Sequence, residues 1–191
     1  MSWQGDIPSS EQLAAELKRI KDRKRFIKLL YNTVASLIVV AAVSVLISML
    51  FLPVLRVTGT SMTPTLQNDE LVVCRRRGSF ERGDIIAFYH NNKILLKRVI
   101  GLPGDIIDIA ADGTVTVNGE KLDEPYVDEL ALGTCDIKMP YQVPESRWFV
   151  MGDHRSESID SRTKEIGCVA EEMVVGKVIW CIYPFGSMKS F

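Results

Sequence analysis

The chain has 191 residues, 23 basic and 24 acidic side chains, a formal net charge of −1 and a pI near 6.2. Such a balance sets up no global basic field, which argues against nucleic acid as the main partner. The length holds a membrane anchor plus one domain of ordinary size, and excludes two soluble domains.

Residues 1–8 read as a loose tail, after which Ser9 and Gln12 have the spacing of a capping box at a helix start. Leu13, Leu17, Ile20 and Ile27 recur at helical spacing beside Lys18, Arg19, Lys21, Arg23, Lys24, Arg25 and Lys28, with Asp22 the one acid in that stretch. Residues 1–28 are therefore expected to be a basic amphipathic segment, a helix lying along a membrane surface before turning into the bilayer. From 29 to 55 no residue is charged. A helix needs roughly 20 residues to cross a hydrocarbon core about 30 Å thick, so this run predicts a transmembrane anchor. Cleavable export signals have apolar centres of roughly 7–15 residues, so the longer run fits an uncleaved anchor. Basic residues beside a span stay on the cytoplasmic side, which puts the N-terminus inside and residues 56–191 outside. Cys74, Cys135, Cys168 and Cys181 then lie where disulfides are permitted, with all pairings open, and their spacing matches no zinc pattern.

Beyond Arg56 the pattern changes to short Val- and Ile-rich runs separated by Gly, Asp and Asn. Strands are expected at 71–74, 84–89, 94–100, 106–109, 114–117, 148–151 and 174–182. Turns are expected at Asn91-Asn92, Asp112-Gly113 and Asn118-Gly119. The fold class is mainly β behind a single N-terminal transmembrane helix. Arg75-Arg76-Arg77 is read as a solvated basic loop, Arg82-Gly83-Asp84 as turn chemistry entering a strand, and His90 as an exposed turn residue.

The stretch with chemistry in it is Thr58 to Leu66, where Gly59 and Pro64 flank Ser61 and keep it out of a helix interior. A serine hydroxyl is a poor nucleophile until a base removes its proton. Lys97, His154 and His90 are the candidates. Alternation along 94–100 puts Lys97 on one face with Leu95 and Val99, an apolar setting that lowers a lysine pKa toward neutrality.

Three segments, Gly59 to Leu66, Leu96 to Asp105 and Gly152 to Arg162, in this order behind an anchor, resemble the bacterial type I signal peptidases in their short Gram-positive form. The resemblance implies a serine endopeptidase with a β-rich catalytic domain, needing neither metal nor cofactor. It implies that Ser61 is the nucleophile, Lys97 the general base and Ser158 the hydroxyl that orients the amine. Asp160 and Arg162 match a supporting ion pair, Asp153 and Arg98 match further members of that charged cluster, and Met62 matches the cleft floor. The oxyanion donors would be the N–H groups of Ser61 and Gly59, since Gly59 stands where some relatives carry a hydroxyl. His154 stands where the family usually has Asn. The implied partners are signal peptides of exported preproteins, cut after small residues of the Ala-x-Ala type, together with membrane lipid and the nearby export translocon. Val57, Leu66, Leu95 and Leu96 would form shallow pockets along an extended substrate. Three other readings compete: a self-cleaving Ser-Lys peptidase, a non-catalytic membrane-anchored binding or assembly module of the same fold, and a Ser-His-Asp hydrolase using His154.

Overall fold

A computed structural model describes residues 9–76 and 78–191, with the side chains of Met49 and Ser187 excepted. The expected tail at 1–8 and Arg77 of the basic loop lie outside the described residues. In chain order the elements are α1 (Ser10–Phe51), β1 (Val54–Arg56), β2 (Leu71–Arg75), β3 (Ile85–His90), β4 (Lys93–Gly101), β5 (Ile106–Ile109) and β6 (Val115–Val117). They continue with β7 (Glu120–Lys121), β8 (Tyr141–Gln142), β9 (Arg147–Met151), β10 (Val169–Ala170), β11 (Val174–Tyr183) and β12 (Lys189–Ser190).

The chain divides into two units, 1–48 and 49–191. In the first, the capping box forms as the sequence predicts: Gln12 N–H donates to Ser9 Oγ and Ser9 N–H to Gln12 Oε1. The helix then runs 42 residues without a break, about 63 Å at 1.5 Å per residue. This corrects the expected turn between a surface segment and a spanning one, because neither Pro nor Gly interrupts residues 10–51. The four consecutive residues Leu37, Ile38, Val39 and Val40 are all exposed, so every side of the helix presents apolar surface. With a mean hydropathy of 2.2 in its most apolar window, the helix is long and apolar enough to cross a membrane. It ends at Phe51, ahead of Pro53, and β1 begins at Val54.

In the second unit, the seven strands expected from periodicity are all present, and β1, β7, β8, β10 and β12 are additional. One sheet runs β1-β2-β11-β3-β4-β9-β10, with β12 on β11; a smaller sheet runs β7-β6-β5-β8. The β3–β4 connection is the predicted two-residue turn, with Asn91 and Asn92 both at positive φ. Val57, Leu66, Val72, Cys74, Ile85 and Val178 share one apolar cluster, while Ile86, Phe88, Val99 and Val150 form another on the opposite face of β3 and β4. A third, around Ile107 and Phe149, joins the small sheet to β9. All four cysteines are unpaired.

Strand β4 is paired unequally. On one side it meets β3 from Lys93 to Arg98; on the other it meets β9 only from Arg98 to Gly101. Among the described strands, Lys93 to Lys97 therefore keep one open edge.

Three arginine–carboxylate pairs are buried under this region. Arg98 makes two bonds to Asp153, of 2.8 and 2.6 Å, and lies 3.9 Å over the Tyr126 ring. Arg155 holds Glu124 through both of its terminal nitrogens. Arg162 holds Asp160 through Nε and Nη2, and its remaining donors reach the carbonyls of Leu132, Arg155 and Ser158. Gly133, at φ 60°, passes so close that a Cβ there would lie 2.4 Å from Arg155 O and 2.8 Å from Arg162 Nη1. A buried pair that loses one member leaves an uncompensated charge. Glu124→Ala is accordingly expected to lower the unfolding free energy by roughly 3–5 kcal/mol, against less than about 1 kcal/mol for Arg56→Ala, which breaks an exposed pair with Asp69. Chemical denaturation of the detergent-solubilised chain measures both.

Candidate active site

The segment that carries Ser61 is a closed loop. Val57 N–H donates to Glu70 O and Asp69 N–H to Val57 O, so residues 57–70 leave and return at one point. Inside it a single helical turn, Leu66 N–H to Met62 O, drops Met62 and Leu66 into the core. Ser61 is left half-buried at the top of that turn.

Lys97 arrives from β4, opposite Ile86 and on the same face as Leu95 and Val99. It is 3% exposed, and its Nζ donates to Ser61 Oγ over 2.8 Å. Desolvation by burial pulls the amine pKa from 10.5 to about 8; Asp160 and Asp153 push the other way, and Arg162 adds to the lowering. An amine so tuned shares its population between the charged and neutral forms near pH 8, and only the neutral form has a lone pair for a proton.

The loop from Gly152 to Arg162 lies beneath. His154 N–H donates to Ser61 O. Asp160 accepts from Gly152 N–H as well as from Arg162. A Cβ on Gly152 would meet Ser158 Oγ at 2.2 Å and Ser61 O at 2.5 Å, so both crowd the space that the missing side chain leaves. Ser158 is buried, yet its Oγ has no hydrogen-bond partner among the described residues. The expected bond from Ser158 to the lysine amine is thus not made in this conformation.

The imidazole of His154 faces elsewhere. Thr63 Oγ1 donates to Thr60 O, so it accepts from His154 Nδ1 at 3.1 Å; Glu157 Oε2 lies 3.5 Å from the same nitrogen and accepts from Thr60 Oγ1. The ring clasps the loop around Ser61 and makes no bond to Ser61 Oγ. His90 is bonded to Asn91 at the β3–β4 turn.

Beside Ser61 and Lys97 opens a cavity of about 310 Å³, lined among others by Val57, Met62, Leu95 and Leu96. Leu66 does not line it: fully buried one helical turn beyond Met62, it is core rather than pocket, which corrects the sequence expectation. A second correction concerns Gly59. Its N–H is already donated to Asn68 Oδ1 over 2.9 Å, so it is not free for an oxyanion, whereas the Ser61 N–H donates to no group among the described residues. Sequence reasoning also passed over Glu124 and gave no role to Arg155, Gly133 or Gly152. For Arg155 and Gly152, their place inside the Gly152–Arg162 segment was the available signal; Glu124 lies in a stretch without periodicity.

Comparison with known proteins gives a consistent answer. The family model described as "Signal peptidase, peptidase S26" matches residues 30–183. Signal peptidase I U of Bacillus subtilis is 35% identical over 179 residues, covering 87% of this chain and 94% of the relative. Signal peptidase I of Bacillus licheniformis is 36% identical over 174 residues, covering 84% and 92%. A crystal structure of a signal peptidase I from Enterococcus faecalis V583 aligns with 34% identity and a TM-score of 0.43, over 52% of this chain and 97% of that one. A model match of this extent, together with relatives more than a third identical along most of the chain, establishes that the protein belongs to the signal peptidase family, peptidase S26.

Proposed function

We propose that the protein is a membrane-anchored serine endopeptidase that removes signal peptides from exported preproteins, using Ser61 as nucleophile and Lys97 as base. The observation that carries this reading is the 2.8 Å contact between a buried, pKa-depressed lysine amine and a serine hydroxyl at the wall of a cavity. A binding module of the same fold would have no use for a desolvated amine at that distance from a nucleophile. A Ser-His-Asp arrangement is disfavoured by the His154 ring, which is spent on Thr63 and Glu157.

Neutral Lys97 takes the Ser61 proton as Oγ adds to the scissile carbonyl. The Ser61 N–H stands free to donate to the oxyanion. Lys97 then gives its proton to the leaving amine, the peptide bond breaks, and a water activated by the neutral lysine hydrolyses the acyl-enzyme. The unpartnered Ser158 hydroxyl is buried at a cost of about 1–3 kcal/mol, which a bond to the amine would recover, so Ser158 suits an orienting role.

The open edge of β4 from Lys93 to Lys97 offers backbone groups to an extended substrate, with the Val57–Gly59 segment across the cavity. Buried Val57 and Met62 with half-buried Leu95 and Leu96 leave shallow apolar space, which fits small side chains of the Ala-x-Ala type. The basic stretch from Lys18 to Lys28 suits the cytoplasmic side, putting the β domain outside the cell membrane beside lipid and the export translocon.

In cleavage of a preprotein with Ala before the bond, Ser61→Ala and Lys97→Ala are each expected to lose at least about a thousandfold in kcat/KM. His154→Ala, which keeps its backbone bond to Ser61 and gives up the ring's contacts with Thr63 and Glu157, is expected to lose less than about tenfold. Because Lys97 works when neutral, kcat/KM should rise with pH and level off above about 8. A limb that climbs on toward 10.5 would mean that burial does not tune the base. Stability carries the same signature. A lysine whose folded pKa is depressed costs the fold most below about pH 8, and that cost fades between about 8 and 10.5. Relative to wild type, Lys97→Met should therefore gain most in denaturation midpoint at neutral pH, and the gain should shrink across that window, where the underlying shift corresponds to about 3 kcal/mol.

A further inference from the structure

Lys97 borders two cavities. One is the cleft it shares with Ser61; the other, of about 470 Å³, is lined by Leu95, Ile159 and Ile166 together with His90, Lys93 and Glu165. Ser61 does not line the second.

Acyl transfer treats the two halves of a substrate differently. The carbonyl half becomes bonded to Ser61 Oγ, while the leaving nitrogen has to meet the proton donor, Lys97 Nζ. The chain beyond that nitrogen accordingly leads away from Ser61 on the lysine's side. A cavity bordered by Lys97 but not by Ser61 lies where the departing chain is carried.

The lining argues for use. Ile159 is 51% exposed although it stands between two buried residues, Ser158 and Asp160. Leu95 and Ile166 are half-buried at the margin of the cluster around Val99 and Phe88. Three branched aliphatic side chains so left open lose apolar burial that an apolar occupant would restore. The polar groups around them, His90, Lys93 and Glu165, suit a peptide backbone better than an acyl chain.

We propose that this second cavity is a subsite for the first two residues of the mature chain after the cleaved bond, and that it takes an apolar side chain from them. The proposal rests on the peptidase function above and on the three residues, Lys93, Leu95 and Lys97, that line both cavities. It makes residues after the bond, as well as those before it, part of what the protein selects.

The test uses the full chain in detergent and two peptides identical up to the cut bond, one continuing Leu-Leu and the other Ser-Ser. Wild type is expected to favour the Leu-Leu peptide by roughly tenfold in kcat/KM, the discrimination typical of a modest apolar pocket. Ile159→Asp, which puts a charge in the cavity, and Ile159→Trp, which fills it, are each expected to bring that ratio within twofold of one. Because Ile159 is exposed, thermal unfolding of both variants should match wild type. A wild-type ratio near one, or a ratio that survives both substitutions, overturns the subsite. A ratio near one combined with an Ile159→Asp defect seen only in lipid vesicles would also overturn it, and give the cavity to an acyl chain. Failure of wild type to cut either peptide would instead bring down the peptidase function itself, whereas equal cutting of both removes the subsite alone.

Discussion

Everything at the site depends on keeping one lysine amine dry without giving it a carboxylate. Burial is the largest influence on the pKa of Lys97 and lowers it, while two buried acids within electrostatic reach each raise it. Arg162 occupies both carboxylate oxygens of Asp160, and its own charge acts on Lys97 in the opposite direction to that acid. Arg98 likewise occupies both carboxylate oxygens of Asp153. The buried ion pairs are thus better understood as a way of placing acids near the amine without bonding them to it than as sources of stability, which buried pairs rarely supply in net terms.

A buried guanidinium needs its donors accounted for. Arg162 spreads its bonds over Asp160 and the carbonyls of Leu132, Arg155 and Ser158, which ties the 131–133 segment to the Gly152–Arg162 loop. Close approach is possible because Gly133 and Gly152 carry no Cβ at the two points where backbone and side chains meet. The loop carrying Ser61 is fixed from below by Met62 and Leu66 in the core and from the side by the His154 clasp. Ser61 and Lys97 are therefore each held by packing independent of the other, and their contact is a consequence of two rigid placements rather than of a single bond.

The parts of this arrangement visible in the sequence are those set by period or by contiguous motif. Seven strands were legible because Val- and Ile-rich runs between turn residues leave a pattern; β7, β8, β10 and β12, at two residues each, are too short to leave one, and β1 follows directly on the apolar run of the helix. Ser61, Lys97, Asp153, Asp160 and Arg162 lie in three compact segments, and folding brings those segments together. What escaped notice depends on through-space contact. Leu66 looks like a pocket residue until the Met62–Leu66 helical turn sends it inward. The Gly59 N–H is claimed by Asn68, nine residues on, which no local rule anticipates. Glu124 sits in a stretch with no periodicity, and its value comes only from meeting Arg155 thirty-one residues away. The unbroken helix from Ser10 to Phe51 was misjudged from a change in composition at residue 28, although composition sets the environment of a helix and not its continuity.

The topology explains why the open edge and the Gly152–Arg162 loop occur at the same place. Strand β9 accompanies β4 from Gly101 back to Arg98, across a register shift, and then leaves the sheet after Met151. That single departure removes the neighbour from Lys93 to Lys97 and delivers Gly152 to Arg162 beneath the lysine. An exposed strand edge invites aggregation, and here it is short, begins with a charged Lys93 and ends at a buried residue. Had β9 continued five residues further, to Ser156, β4 would be paired along its length and the first half of the Gly152–Arg162 segment would lie in the sheet. An open strand edge and a support beneath Lys97 are thus two results of ending one strand at one residue.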